Sequence, residues 1–301
     1  RRNLAFVPKM IRARRDAIRL LRETSPAVVV SVGGYASMPA VLAARALDIP
    51  IVVVSYDRRP GRASQVAARS AAACAVAFEG SSLPRATLTG APVRREILDV
   101  DRARDRSAAR RSLGVPDDRF LVAVMGGSQG SGVLNAAIAD LLAARRDDAG
   151  LAVRQVAGER FVDAVTGAGD GSTGVLHQVI AYEGDMAAVY AAADLLVGRG
   201  GASTVHEVAV TGTPALLVPW SGAAEDHQTG NVEWLSEAGG AVLVSEDEVE
   251  NGRLGREIDR LRGDADARAQ LSARASERGR VHRSGALAAL VEHAALTSTS
   301  S

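Results

Sequence analysis

Two stretches with one shared pattern decide the fold: FLVAVMGGSQG at residues 120–130 and LLVGRGGASTVHE at residues 195–207. Each is a short run of apolar residues, followed by a glycine-rich turn and then by a helical pattern. Uncharged runs of this kind are typical of parallel strands covered on both faces, and the order strand, glycine turn, helix is typical of doubly wound sheets. The sequence therefore predicts an α/β fold with parallel sheets.

The same alternation extends along most of the 301 residues. The downstream series is long enough for a complete doubly wound domain, with six strands predicted at residues 120–125, 152–156, 175–180, 195–197, 215–218 and 241–244. The upstream series is shorter, with four strands predicted at residues 27–31, 51–55, 74–78 and 86–90 and helices at 39–46 and 63–73. We therefore expect two Rossmann-like domains, of which the first is N-terminally incomplete.

A stretch of mixed charge from Arg94 to about residue 118 separates the two series and is predicted to be a linker. The predicted domains are residues 1–93, joined by a C-terminal helix at 283–296, and residues 94–282.

Charge and cysteine content restrict the classes of partner. The net charge of +1 predicts no general attraction for nucleic acid. The single cysteine, Cys74, excludes a disulfide framework, and its apolar surroundings favour a small buried side chain over a nucleophile. Residues 26–44 carry no charge, but glycine and proline interrupt them, so they are predicted to form strand, loop and helix and not a membrane span.

The first 23 residues hold eight basic side chains against two acidic ones. Such a basic face favours an anionic membrane surface, with Ile11, Ile18, Leu20 and Leu21 predicted to supply apolar contact. The alternative is a basic helix whose apolar face packs only on its own domain.

The glycine turns are candidate anion sites. Glycines let backbone N–H groups approach a phosphate, a following helix adds positive potential, and Ser128 in the first turn can donate a hydroxyl hydrogen bond. Glu207 is predicted to lie one turn into the helix after the second turn, where a carboxylate can accept both hydroxyls of a ribose. The alternatives are a plain tight turn at residues 126–130 and simple helix capping by Ser203 or Thr204.

Further polar residues follow other predicted strands. Gln228 and Asn231 share a helix face after residues 219–220, and their amides suit sugar hydroxyls because they both donate and accept, although a helix capped at residue 226 with exposed amides is equally compatible. Candidates for the opposite wall of a cleft follow the first two strands of the upstream series, and ordinary turn chemistry explains them as well. They are Gly33, Gly34, Tyr35 and Asp57.

A metal site is not predicted. Asp99 and Asp101 form a DxD pair, but the pair lies in a charged stretch and not at the end of a buried strand, and the five histidines lack metal-ligand spacing.

Five segments together resemble the MurG family of GT-B glycosyltransferases, in order and spacing, from about residue 1 to residue 296. The segments are VGGYAS at 32–37, GAPVR at 90–94, GGSQG at 126–130, GDMAAVYAAADLLVGRGGASTVHE at 184–207 and EDHQTGN at 225–231. The resemblance implies two Rossmann-like domains facing a cleft. It also implies inverting transfer of N-acetylglucosamine from UDP-GlcNAc to lipid I, at the cytoplasmic face of the cell membrane, without a cofactor or metal.

The resemblance also implies roles for individual residues. Ser128 and Gln129 would lie at the diphosphate, Arg94 near the donor, Glu207 at the ribose and Gln228 at the sugar. The remaining donor-side residues would be Tyr182 and Met186 near the uracil, the backbone of Ala202, Ser203, Thr204, Val205 and His206 along the nucleotide, and His227 and Asn231 close to the sugar.

Two departures from the family pattern concern the acceptor. The family's N-terminal glycine-rich loop, whose histidine is a proposed base, has no counterpart after Arg1, so the catalytic base is expected outside these residues and donor binding is expected to exceed turnover. The sequence VSYD at 54–57 replaces a HEQN-type segment. The alternatives are therefore a related transferase with another lipid or natural-product acceptor, and a nucleotide-binding protein without turnover.

Overall fold

The computed structural model describes residues 6–127, 129–167, 174–223 and 226–297. It divides the chain into two compact units, Arg1–Pro92 with Val281–Ser301, and Val93–Arg280. Each of the ten predicted strands is present, and every strand pair is parallel. The predicted α/β class with two parallel sheets is confirmed.

The first unit has a four-stranded sheet in the order β1-β2-β3-β4. Its elements are α1 (Phe6–Thr24), β1 (Val29–Ser31), α2 (Met38–Ala46), β2 (Ile51–Ser55), α3 (Arg62–Ala68), β3 (Ala73–Val76), β4 (Ala86–Leu88) and α14 (Ala286–Thr297). All five residues of β2 are buried, as its uncharged sequence predicts. Helix α14 packs on β2 and β3, so the chain returns at its C-terminal end to the unit in which it begins.

The second unit has a six-stranded sheet in the order β10-β9-β8-β5-β6-β7. Its strands are β5 (Phe120–Met125), β6 (Leu151–Val156), β7 (Leu176–Ile180), β8 (Leu195–Arg199), β9 (Ala215–Val218) and β10 (Val242–Leu243). Its helices are α4 (Arg95–Leu98), α5 (Arg102–Leu113), α6 (Gly132–Ala144), α7 (Val162–Gly167), α8 (Met186–Ala192), α9 (Ala202–Thr211), α10 (His227–Ser236), α11 (Glu246–Glu250), α12 (Arg253–Gly263) and α13 (Ala265–Gly279).

The core of the second unit lies between the central strands and two helices. Leu134, Ile138 and Leu141 recur on one face of α6 and are buried against β5, β6 and α12. Burying one such side chain contributes about 1.5–3 kcal/mol. This packing fixes α6 and the glycine turn that precedes it at the end of β5.

Two predictions about local structure were wrong. The stretch predicted as a linker forms α4 and α5 instead. The helix predicted at residues 63–73 ends at Ala68, because the Arg85 guanidinium donates to the Ala68 carbonyl at 2.7 Å and the Ala72 N–H already bonds to Ile51 of β2 at 2.8 Å.

An arginine face explains why the charged stretch folds as a helix. Arg102, Arg106 and Arg110 repeat every fourth residue on α5, and all three donate to carbonyl oxygens at the C-terminal end of α8 and just beyond it. Asp194 then pairs with Arg106 and with the fully buried Arg110, each at 2.6 Å. These bonds attach α5 to the segment between α8 and β8, at the amino end of β8.

Asp194→Ala should lower the free energy of unfolding of the second unit by about 3–5 kcal/mol, because it leaves the buried Arg110 without its carboxylate. Denaturant unfolding measures this difference. Asp99→Ala is the control, since it removes an exposed ion pair with Arg95 and should cost less than about 1 kcal/mol. Equal losses in the two variants would contradict the role of the arginine face.

Candidate donor-binding site

Two glycine loops lie side by side at one edge of the second sheet. Strands β5 and β8 are neighbours, with Met125 paired to Gly198, and the strand order runs away from this pair in both directions. Open parallel sheets bind ligands outside the carboxyl ends of their strands at such a point of divergence. The fold therefore brings together the loops that follow β5 and β8.

The first loop requires glycine at two positions. Gly127 and Gly130 have φ angles of +80° and +72°, and a Cβ on Gly130 would lie 2.4 Å from a carbonyl oxygen of the loop after β6. Helix α6 is capped by the hydroxyl of Ser131. Gln129 is exposed at this turn, whereas Ser128 lies outside the described residues, so its contact with a phosphate stays a prediction.

The second loop leads into a helix whose N-terminus has no side-chain cap. The cap residue of α9 is Gly201, and no side chain bonds to the helix N–H groups from that position. Ser203 and Thr204 both lie inside the first turn, so the capping alternative for these two residues is wrong. Uncapped N–H groups at a helix N-terminus, together with the helix dipole, form an anion-binding site.

Glu207 lies in the second turn of α9, as predicted, and its side chain is 13% exposed. One carboxylate oxygen, Oε2, accepts a hydrogen bond from the Tyr190 hydroxyl at 2.9 Å. The other, Oε1, lies 3.4 Å from Nη2 of Arg94, which is half exposed and lies equally far from Glu96. A carboxylate thus stands one turn behind the uncapped helix end, with Arg94 beside it.

Gln228 connects α10 to the loop after β9. Its Oε1 accepts a hydrogen bond from the backbone N–H of Trp220 at 3.0 Å. This bond does not use the amide nitrogen of Gln228, whose two N–H groups can donate to a ligand. The indole of Trp220 is 50% exposed next to it.

An ion pair that is largely shielded from solvent holds the loop after β9. Arg199 at the end of β8 pairs with Glu246 at 2.7 Å, and Glu246 also accepts the N–H of Ser221 at 3.0 Å and its hydroxyl. Burial raises the pKa of Glu246, but the bonds from Ser221 and Arg199 outweigh burial and leave that pKa below its usual value. The loop that carries Trp220 is therefore fixed to both β8 and α11.

Several predicted donor-side residues have buried side chains. Asn231 and Val205 are 0% exposed, and His206 is 1% exposed with its ring edge-on to Trp234 at 6.0 Å between centroids. Val205 and His206 can therefore contact a ligand through their backbone only, which is the form in which they were predicted. Ala202 is buried too, and His227 is half-buried at the start of α10.

The residues predicted near the uracil follow β7. Tyr182 is 76% exposed, and Met186 is half-buried in the first turn of α8. Met186 and Tyr190 are four residues apart on α8, so they share a helix face, and Tyr190 bonds to Glu207. The structure therefore brings Met186 within one helical turn of the residue that contacts Glu207.

The acceptor-side candidates occupy the corresponding edge of the first sheet. Gly33 and Gly34 follow β1 with φ angles of +88° and +73°, and the turn continues into Tyr35, which is 65% exposed. Asp57 follows β2, the neighbour of β1, and is half-buried. The four residues thus follow adjacent strands, and their contact with an acceptor stays a prediction.

The DxD pair has local partners. Asp101 caps α5 by accepting from two helix N–H groups at 3.0 and 3.1 Å, and Asp99 pairs with Arg95 at 3.0 Å. Within the described parts of the chain, no group of three or more His, Cys, Asp or Glu side chains is arranged to hold a metal ion.

Sequence reasoning assigned no role to four residues that shape this edge: Tyr190, Arg199, Trp220 and Glu246. A signal exists for Tyr190, since it is the one hydroxyl-bearing side chain in the alanine-rich run MAAVYAA. Glu246 is far from Arg199 in sequence, so their pairing depends on the tertiary fold.

Comparison with known proteins identifies the family. The glycosyltransferase family 28 C-terminal domain matches residues 121–284, and the family 28 N-terminal domain matches residues 1–76. The chain belongs to glycosyltransferase family 28.

Three curated family members carry one name, UDP-N-acetylglucosamine--N-acetylmuramyl-(pentapeptide) pyrophosphoryl-undecaprenol N-acetylglucosamine transferase. The chain is 37% identical to the Cutibacterium acnes protein over 86% of its own length and 70% of the relative's. It is 37% identical to the Acidothermus cellulolyticus protein over 97% of its own length and 80% of the relative's. It is 38% identical to the Clavibacter michiganensis protein, with 80% of the chain covered and 64% of that relative's length spanned.

Solved structures have a similar fold. The crystal structure of Acinetobacter baumannii MurG is similar with a TM-score of 0.72 at 25% identity, covering 94% of this chain and 77% of that one. UDP-GlcNAc 2-epimerase from Neisseria meningitidis, solved with UDP-GlcNAc bound, has a TM-score of 0.67 at 12% identity. The match covers 99% of this chain and 83% of the epimerase, and it supports the fold alone. The predicted GT-B fold is confirmed.

Gly200→Ala should destabilise the second unit by about 1–3 kcal/mol, because the new Cβ would lie 2.6 Å from a Val232 methyl group and 2.9 Å from the Gln228 carbonyl oxygen. Thermal or denaturant unfolding measures the loss. Gly263→Ala is the matched control, since its Cβ would meet open space at the end of α12 and should leave stability equal or slightly raised. A Gly200→Ala variant as stable as the parent would show that α10 does not pack closely enough on the loop to exclude a methyl group.

Proposed function

We propose that the protein transfers N-acetylglucosamine from UDP-GlcNAc to the C4 hydroxyl of the muramyl residue of lipid I, with inversion at the anomeric carbon. The product is lipid II, an intermediate of peptidoglycan synthesis. The names of relatives at about 37% identity support this reaction. The structural observation that supports it is the position of Glu207, which lies one turn from the uncapped N-terminus of α9, at the carboxyl end of β8.

In this proposal the second unit binds the donor nucleotide. Glu207 accepts the ribose hydroxyls, while the backbone at Ala202, Ser203 and Thr204 and the first glycine loop receive the diphosphate. Arg94 lies close enough to Glu207 to contact the same nucleotide. Tyr182 and Met186 are assigned to the uracil, because the first is exposed and the second lies one turn from Tyr190.

The sugar is assigned to the start of α10. The Gln228 amide nitrogen donates to a hydroxyl oxygen of the N-acetylglucosamine, because its oxygen is already bonded to Trp220. His227 lies beside it in the same helical turn, and the buried Asn231 supports the helix one turn further on.

Transfer breaks the bond between the anomeric carbon and the diphosphate oxygen as the acceptor oxygen attacks from the opposite face. Negative charge then develops on the departing UDP. N–H groups at the α9 N-terminus, which the helix holds in place, and the Arg94 guanidinium donate to that charge, a role that a metal ion fulfils in other transferases. The acceptor is assigned to the first unit, at Gly33, Gly34, Tyr35 and Asp57, and the group that takes the acceptor proton is left unassigned.

Transfer of labelled N-acetylglucosamine from UDP-GlcNAc to lipid I is the test of the reaction. Labelled lipid II is the expected product. Labelling of a different lipid or natural-product acceptor would favour a related transferase, which the segment VSYD at 54–57 suggests. Binding of UDP without transfer to any acceptor would favour a nucleotide-binding protein without turnover.

Glu207→Ala should weaken UDP binding by about 1.5–3 kcal/mol, because a hydrogen bond from the ribose to a charged group is lost. Isothermal titration calorimetry with UDP measures the change. Glu233→Ala on α10 removes a carboxylate from the same unit and should bind UDP like the parent. Equal affinities of Glu207→Ala and the parent would remove Glu207 from the site.

We also propose peripheral binding at the cytoplasmic face of an anionic membrane through α1. Arg12, Arg14 and Arg15 are exposed, as are Ile11 and Leu20. Ile18 and Leu21 are half-buried, and Leu21 packs against the core of its own unit, which favours the alternative for that side chain. Within the described residues, no helix is long and apolar enough to cross a bilayer.

Reversal of charge at Arg12, Arg14 and Arg15 should abolish flotation of the protein with anionic vesicles, since each well-placed basic residue contributes about 1 kcal/mol and salt weakens the attraction. The same reversal at Arg256, Arg260 and Arg274, which are exposed in the second unit, is the matched control. Flotation that survives the first reversal, or is lost equally in both, would exclude α1 as the membrane contact.

A further inference from the structure

Tyr190 bonds to Glu207 but has no role in the donor binding proposed above. Its side chain is 1% exposed, and its hydroxyl donates to Oε2 of Glu207 at 2.9 Å. The bond crosses from α8 to α9, so two elements on opposite sides of β8 in the sequence meet at this carboxylate.

Both partners of this bond are also held through their backbones. The Tyr190 carbonyl accepts from Arg102 at 2.5 Å and from the Thr213 hydroxyl at 3.0 Å. The Thr211 hydroxyl bonds to the Glu207 carbonyl at 2.8 Å and lies 3.0 Å from the Thr213 hydroxyl. Tyr190 and Glu207 therefore belong to one polar network, which also includes Arg102 of α5.

The Tyr190 hydroxyl is the donor in its bond to Glu207. Burial, and then the neighbouring Glu207 carboxylate, raise the pKa of Tyr190 well above its usual value, so the hydroxyl keeps its proton at physiological pH. The bond occupies Oε2 and fixes the plane of the carboxylate. Oε1 lies 3.4 Å from Arg94, longer than a normal charge-assisted hydrogen bond, so Oε1 remains available to accept from a ligand.

We propose that Tyr190 is a positioning residue, which orients the Glu207 carboxylate toward the vicinal hydroxyls of the donor ribose. This inference rests on the proposed function, because it requires Glu207 to bind the ribose. A carboxylate held at one oxygen presents the other in a single direction, whereas a free carboxylate would rotate and lose part of its binding free energy to ordering. Tyr190 itself does not touch the nucleotide in this account.

Tyr190→Phe tests the inference, because it keeps the buried ring and removes only the hydroxyl. Calorimetry should compare UDP with 2′,3′-dideoxy-UDP, which lacks the two ribose hydroxyls. The variant should bind UDP about 10-fold more weakly than the parent and bind the dideoxy nucleotide equally well. The preference for UDP should therefore fall, and Tyr190→Phe combined with Glu207→Gln should lose no more preference than Glu207→Gln alone.

A purely structural role would weaken both nucleotides to the same extent. An equal loss for the two nucleotides, or an unchanged preference for UDP, would overturn the inference. A partly unfolded sample lowers the binding stoichiometry and not the ratio of the two dissociation constants. The ratio therefore tests the inference even if part of the variant is unfolded. Tyr56→Phe removes a phenol hydroxyl from the other unit and should leave both affinities unchanged.

Glu207→Gln separates this inference from the proposed function. If Glu207→Gln keeps the full preference for UDP, Glu207 does not bind the ribose and the proposed donor site is wrong at that point. If Glu207→Gln loses the preference and Tyr190→Phe keeps it, the donor site stands and only the role of Tyr190 is wrong.

Discussion

Parallel strands send all their carboxyl ends to one edge of a sheet, and the donor side of this protein depends on that constraint. Strand β8 lies beside β5, and the chain then diverges on either side of the pair. Because of this order, two glycine loops far apart in sequence become neighbours, and the start of α10 lies against the second of them. The sheet order thus creates a place for an anion before any side chain contributes.

The polar contacts around this edge limit how its side chains can move. Glu207 and Gln228 each hold one oxygen on a partner in the protein, which restricts the direction of the remaining atoms, and Glu246 uses both oxygens, one on Arg199 and one on Ser221. At the amino end of β8, the arginine face of α5 holds the segment that leads into the strand. Binding groups that are fixed before the ligand arrives lose less entropy when it binds.

The strands and glycine turns could be predicted from the sequence because their signals are local. Runs such as IVVVS at Ile51–Ser55 show burial directly through their lack of charge, and a glycine turn after such a run indicates a carboxyl edge. Helix α5 was missed, because its low apolar content resembles a linker until Asp194 and the α8 carbonyls are brought to its arginines. The roles of Tyr190 and Glu246 were missed for a similar reason, since their partners lie on other elements.

A crystal structure of the protein with UDP tests the central claim most directly. The account predicts the ribose hydroxyls about 2.5–3.0 Å from the Glu207 carboxylate, with the diphosphate at the N-terminus of α9 and along the first glycine loop. UDP bound away from the carboxyl ends of β5 and β8, or with its ribose turned away from Glu207, would contradict it.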